Sequence, residues 1–265
     1  MPPAPRFEDV TETTGIPLTT EGARMMYTRY AVAAELAAGR RALEVACGGG
    51  NGLGLVSAQA RWLVGGDYSA ALLAQAKSHY GTRIPLVRFS AEALPFRPGA
   101  FDIVLFFEAS YYIPNMELAF DEVARVLGPG GAVLFVNANP ERRDFVTSPH
   151  AVHYHSADEF RAALHARGMR VGIQAAFPVD PPETGAVARF KGLAIGTLRR
   201  VAEALRLIPK TLRGRARLKR IIYGHPIKVP PELEAGFAVA ASRVPVSPAA
   251  VTGHKVLYVT GRKTT

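Results

Sequence analysis

The chain has 265 residues, 48% hydrophobic and 20% charged, with one cysteine and a formal net charge of +10. This is the composition of a globular fold, long enough for one large core or two modest ones. It excludes an internal disulfide and a cysteine-based metal cluster, and no apolar run approaches the ~20 residues of a membrane-spanning helix.

The opening MPPAPRFEDV is polar and proline-rich and lacks the apolar stretch of a secretion signal, so the cytoplasm is the expected compartment. Residues 1–20 read as a loose lead-in. Residues 21–38 favour a helix, with Met25, Val32 and Leu36 on one face. Short apolar runs then alternate with helical stretches. Strands are predicted at 41–47, 61–67, 85–90, 101–109 and 131–139. A helix is predicted at 51–60. Another follows Ser69, a suitable N-cap, and closes at Gly81. A helix starting at Met116 is stopped by the glycines of GPGG. Further on, residues 155–169 read as a helix with Ser156 as cap and Glu159 completing a capping box. Residues 171–179 and 255–263 are strand-like.

Strands separated by helices of this length imply right-handed crossovers and a mostly parallel α/β sheet. Such sheets bind ligands beyond the C-terminal strand ends. About 75 residues separate the last two strands, too many for a hairpin loop. That stretch is strongly basic: residues 181–265 hold 16 of the 32 Lys/Arg but only 4 of the 22 Asp/Glu.

The chemistry concentrates in ALEVACGGGNG, from Ala42 to Gly52. A strand here runs into a glycine-rich turn, and glycine lets a ligand approach the backbone. No lysine follows, so this is not a phosphate-cradling P-loop. The glycine spacing is G-x-G-x-G, not the G-x-G-x-x-G of dinucleotide folds. An acid, Glu44, sits on the strand, and a second, Asp67, ends the next strand.

With these segments in register, the chain resembles the class I S-adenosylmethionine-dependent methyltransferases, of the small-molecule kind called methyltransferase type 11. The resemblance covers roughly residues 20–180 plus the last strand. ALEVACGGG is similar to the family's first motif, with Ala46 where glycine is commonest. LVGGDYS is similar to the second, FSAEALPF to the adenine-lining segment, and FDIVLFFEASYYI and ARVLGPGGAVLF to the fourth and fifth strands with their flanks. The resemblance implies a Rossmann-like, seven-stranded, mostly parallel sheet flanked by helices, whose last strand is antiparallel. Four parts are expected: a lead-in and lid helix (1–40), a cofactor-binding core (41–180), a basic helical insert serving as substrate lid (181–250) and the returning strand (251–265).

The implied cofactor is S-adenosylmethionine. Its expected ligands are Tyr27, Arg29, Glu44, Ala46, Gly48, Gly50, Asp67, Tyr68, Ser90, Ala91, Glu92 and Glu108. Asp67 suits the ribose diol, and the acids suit a sulfonium. Ser90 stands where the family often has Asp, which weakens the adenine contact. Glu44 suits either the cofactor or the loop amides, and Arg29 either the cofactor carboxylate or the solvent. Cys47 reads as a packed residue. Methyl transfer needs a base only when the acceptor must lose a proton, and the family prescribes none. Tyr111, His153 and His155 are the candidates, with Tyr112 and His150 beside them. The histidine cluster lacks companion carboxylates, so no metal is expected.

The expected acceptor is a small molecule. From Arg189 to Lys228 there are 12 Lys/Arg and one acid, Glu203. Three readings stay open for this insert: a solvated lid, a clamp for an anionic sugar or secondary-metabolite intermediate, and a membrane-surface helix serving a quinone or lipid. Nucleic acid is disfavoured because no aromatic-basic platform is present. A cofactor-binding protein without transfer activity is the remaining alternative.

Overall fold

A computed structural model of the protein describes residues 7–9, 11–179 and 226–264. Residues 180–225 of the basic insert lie outside the described residues, and with them the helix expected to carry Phe190, Leu198 and Leu205 on one face. The elements are β1 (Pro17–Leu18), α1 (Thr20–Ala37), β2 (Arg41–Val45), α2 (Leu53–Ser57), β3 (Trp62–Asp67), α3 (Ala70–Tyr80), β4 (Leu86–Arg88), β5 (Phe101–Phe107), α4 (Met116–Val126), β6 (Leu127–Ala138), α5 (Ala157–His165), β7 (Met169–Pro178), β8 (Ile227–Lys228), β9 (Val244–Pro245), α6 (Pro248–Gly253) and β10 (His254–Lys263).

The main sheet has the order β4-β3-β2-β5-β6-β10-β7-β9. Its seven principal strands form the expected mostly parallel sheet, with β10 antiparallel between β6 and β7. The two-residue β9 adds an eighth, at the edge of β7. β6 begins at Leu127, earlier than expected. Leu127 pairs with Phe101, a bulge follows, and pairing resumes between Ile103 and Ala132, so the glycines that end the helix are absorbed into the strand.

The strands alternate strictly between two packed faces. Leu43, Val45, Val104 and Phe106 point toward α4 and α5, where Phe120, Val123 and Phe160 meet them. Ala42, Ile103, Leu105 and Phe107 point toward α1 and α3. Burial on both faces explains the continuous apolar runs in these strands. The inner stripe of α1 is Ala23, Met26, Tyr30, Ala33 and Ala37, with Val32 also buried. Met25 and Leu36 lie at the margin of that stripe. Ala23, Ala33 and Ala37 are fully buried and give the stripe small side chains, which the larger ones did not reveal.

The first described residues are held down. β1 pairs antiparallel with β8, Asn51 donates from Nδ2 to Thr14 Oγ1 (2.9 Å) and to the Pro230 carbonyl (2.6 Å), and Ile16 is buried. The helix caps match the sequence. Ser69 accepts from Leu72 N–H, and Ser156 and Glu159 form a reciprocal capping box at α5. Ser156→Ala is expected to cost about 1 kcal/mol, read in a urea titration as a lower midpoint with an unchanged slope.

Candidate active site

Three neighbouring parallel strands, β2, β3 and β5, end side by side, and the chain must turn away sharply at each. After β2 the turn uses left-handed backbone at Ala46 (φ +60°), Gly48 (φ +57°) and Gly50 (φ +78°). Glycine adopts this freely, whereas at Ala46 it costs on the order of 1 kcal/mol. Asp67, at the end of β3, holds the turn in place. Its Oδ2 accepts from Gly48 N–H and its Oδ1 from Ser69 N–H, both at 2.8 Å.

The strand ends open into a cavity of about 670 Å³, within the range of small-molecule sites. Ten of the predicted residues line it: Arg29, Ala46, Gly48, Asp67, Tyr68, Ser90, Ala91, Glu92, Glu108 and Tyr111. Ser90 accepts from Glu92 N–H (3.2 Å), so its hydroxyl closes a local turn. Glu92 in turn accepts from Asn115 N–H at 2.7 Å.

The other predicted residues lie elsewhere. Tyr27 accepts from Gly236 N–H (2.8 Å), on the side of α1 that meets residues 236–241. Gly50 faces Ala76 and Tyr80 of α3, and its role is close packing. His153 pairs with Glu159 (2.8 Å) outside the cavity. His155 turns toward the rings of Phe120 and Phe160, where burial lowers its pKa. The loop thus points two of its histidines away, and His150 is the one that lines the cavity. Glu44 lies beneath the turn. Its Oε1 accepts from Tyr30 Oη (2.8 Å), while Oε2 is buried without a partner. Burial pushes its pKa up to about 8.

Phe7, Thr11, Glu12, Arg142 and Lys255 also line the cavity and were not legible in the sequence. Phe7 bridges the mouth, its ring edge-on to Tyr68 (6.5 Å) and to Tyr112 (5.8 Å). Glu12 forms an ion pair with Arg29, whose side chain is only 9% exposed. The Nε of Arg29 remains buried and unpartnered. No spacing rule links Glu12 to Arg29, and only the folding of the strap over α1 joins them.

Residues 43–135 match the family described as "Methyltransferase domain". The chain is 38% identical over 121 residues to phthiotriol/phenolphthiotriol dimycocerosates methyltransferase 1 of Mycobacterium ulcerans, covering 43% of each chain. It is 34% identical over 107 residues to malonyl-[acyl-carrier protein] O-methyltransferase of Legionella pneumophila, covering 38% of this chain and 37% of that one. The matched stretch thus spans less than half of these relatives. In fold, it resembles YcgJ of Bacillus subtilis (TM-score 0.57, 18% identity, 90% of this chain and 99% of that one). It also resembles a SAM-dependent methyltransferase, possible histamine N-methyltransferase, of Thermotoga maritima (TM-score 0.56, 13% identity, 91% of each).

The cofactor of such a domain is S-adenosylmethionine, and the cavity's chemistry fits it. The unpartnered Arg29 Nε suits a carboxylate. Glu12, Asp67, Glu92 and Glu108 outnumber Arg29, Arg142 and Lys255 in the lining by one, which suits a sulfonium. Leu72, Phe89 and Ala91 offer an apolar slot for a purine. Cys47 is buried, and burial raises its thiol pKa well above the ordinary value, which suits packing rather than reaction.

Glu44 makes stability pH-dependent. Its folded pKa is raised from 4.5 to about 8, so between those values the native state holds a proton that the unfolded chain has released. Unfolding free energy therefore falls as pH rises through that window, by at most ~1.4 kcal/mol per pH unit from this group. The stability difference between wild type and Glu44→Gln, measured by urea unfolding, should shift against the wild type from pH 5 to 8 and level off above that. A difference independent of pH would refute a proton on Glu44.

Proposed function

We propose that the protein is an S-adenosylmethionine-dependent methyltransferase acting on a small-molecule acceptor with an anionic group. The observation that carries this reading is one cavity lined by Asp67, Arg29 and the glycine turn together with Tyr68, Tyr111, Tyr112, Arg142 and Lys255. Asp67 would hold the ribose and Arg29 the cofactor carboxylate. Gly48 and Ala46 would bring backbone to the amino-acid end, and Tyr68, Ser90, Ala91 and Glu92 would flank the adenine. When bound, the cofactor supplies an electrophilic methyl group on a sulfonium. The chain's part is then to hold the acceptor in line and keep water out.

The acceptor half is walled by Tyr111, Tyr112, Ile113 and Val152 and carries Arg142 and Lys255. The Arg142 Nε is buried without a hydrogen bond; Asp144 lies 3.4 Å away without bonding geometry. Arg142 and Lys255, ion-paired with Asp144 and Glu21, place two cationic side chains in the lining, which favours an anionic group on the acceptor. The relatives' names point to different acceptors, phthiotriol dimycocerosates in one case and malonyl-[acyl-carrier protein] in the other, so neither is carried over. A membrane-associated lipid or quinone is the second reading. It rests on the basic stretch from Arg189 to Lys228. Among the described residues no helix is long and apolar enough to cross a membrane.

Isothermal titration with S-adenosylmethionine tests the shared premise. Binding is expected in the micromolar range or tighter, and Asp67→Ala should weaken it by roughly 10- to 100-fold through loss of a charge-assisted contact worth ~1.5–3 kcal/mol. The same variant should unfold at lower temperature, because Gly48 and Ser69 N–H lose their acceptor. No binding by the wild type at high micromolar concentration would sink the reading. Pelleting with anionic liposomes at low salt checks the second one.

A further inference from the structure

Glu108 differs from the other acids of the cavity in its left-handed backbone, and its two oxygens are unequal. It follows β5 directly and adopts φ +48°, a left-handed conformation that costs a non-glycine residue on the order of 1 kcal/mol. Three ties hold it there. Its N–H donates to the Val136 carbonyl (2.8 Å), and its Oε2 accepts from Tyr111 Oη (3.0 Å) and Ala138 N–H (3.2 Å). Tyr111 is itself fixed by stacking on Tyr154 at 4.3 Å. Oε1 accepts no hydrogen bond from the described residues, and it is not among the atoms sealed from solvent. It opens into the cavity that Glu108 lines. A strained residue pinned at one oxygen and bare at the other is set up to receive a proton.

Its surroundings agree. The charged and titratable groups facing it are Glu12 of the strap, Arg29 of α1, Tyr111 and Tyr112 after β5, and Tyr258 of β10. Burial raises the pKa of Glu108 most, and Glu12 adds to this. Arg29 and the two hydrogen bonds pull the other way without cancelling it. The result is a more basic carboxylate than usual. Tyr111 cannot compete as a base, because burial and Glu108 hold its phenol well above its ordinary pKa.

We propose that Glu108 is the general base of the transfer and that the methylated atom is a hydroxyl oxygen of the acceptor. A carboxylate acceptor has no proton to give and would be repelled by Glu108. A hydroxyl must lose its proton as it is methylated, whereas a neutral amine attacks through a free lone pair. In the balanced step the new C–O bond forms as the C–S bond breaks, with its electron pair staying on sulfur. The hydroxyl proton passes to Glu108 Oε1. The positive charge lost at sulfur equals the negative charge lost at the carboxylate. This inference rests on the methyl-transfer reading.

The test uses the full chain and Glu108→Gln, whose amide oxygen can keep both hydrogen bonds. The probes are S-adenosylhomocysteine, by calorimetry, and a panel of matched alcohols, phenols and carboxylic acids bearing a second anionic group, with S-adenosylmethionine as donor. The proposal expects a Kd for S-adenosylhomocysteine within about twofold of wild type and a thermal midpoint within a few degrees. Hydroxyl acceptors should turn over, with kcat reduced roughly 10²-fold or more in the variant at unchanged acceptor KM. The wild-type rate should rise with pH along an acidic limb that the variant lacks. Tenfold weaker S-adenosylhomocysteine binding by Glu108→Gln would overturn the proposal by making Glu108 a cofactor ligand. Methylation of carboxylic acids alone, or an undiminished rate in the variant, would overturn it as well. Failure of the wild type to bind S-adenosylhomocysteine would instead strike the methyl-transfer reading itself.

Discussion

Asp67 accepts two backbone N–H groups, one from the turn after β2 and one from the start of α3. Each donor would otherwise be an unsatisfied group at the edge of a buried site. One carboxylate therefore sets the distance between the glycine turn, the end of β3 and the first turn of a helix. The cavity floor depends on that distance. Asp67 also lines the cavity, so the group that shapes the floor faces what lies on it.

Around this anchor the cavity lining, and Glu44 in the layer beneath the turn, hold half-satisfied polar groups. Arg29 is paired with Glu12 through one nitrogen while Nε stays bare. Glu44 is bonded to Tyr30 through one oxygen while the other is buried alone. Glu108 is pinned through Oε2 and open at Oε1. Burying such groups without full compensation costs stability. The pattern makes sense where a ligand completes the set, because groups already oriented lose little freedom on binding.

The roof is made by chain distant in sequence. Phe7, Thr11 and Glu12 reach over the cavity, and the segment after them is tied to β8 by a two-stranded ladder. Asn51, in the glycine turn, donates to both Thr14 and Pro230 and accepts from Leu233 N–H through its own carbonyl. Glu232 adds a hydrogen bond to His79 and an ion pair to Arg83 in the α3 region. The strap and the chain that follows the basic stretch are thus fastened to the same turn that forms the floor.

While the antiparallel direction of the last strand came only from the family resemblance, the sequence alone determined the strand–helix alternation, the caps at Ser69 and Ser156 and the glycine-rich turn. Those features are local: they follow from period-two and helical apolar spacing, from glycine's freedom at positive φ and from side chains bonding to their own backbone within three residues. Asp67 was legible for the same reason, as an acid ending a strand beside a glycine turn. The tertiary structure alone decided which polar side chains meet. It joined Glu12 to Arg29, brought Arg142 and Lys255 to the cavity, turned His153 and His155 out of it and put Tyr27 against Gly236. These pairings join residues far apart along the chain or depend on the path of a loop, and neither periodicity nor composition specifies where a loop's side chains point. The bare oxygen of Glu108 belongs to this second class, because it exists only once Tyr111 and Ala138 have claimed the other one.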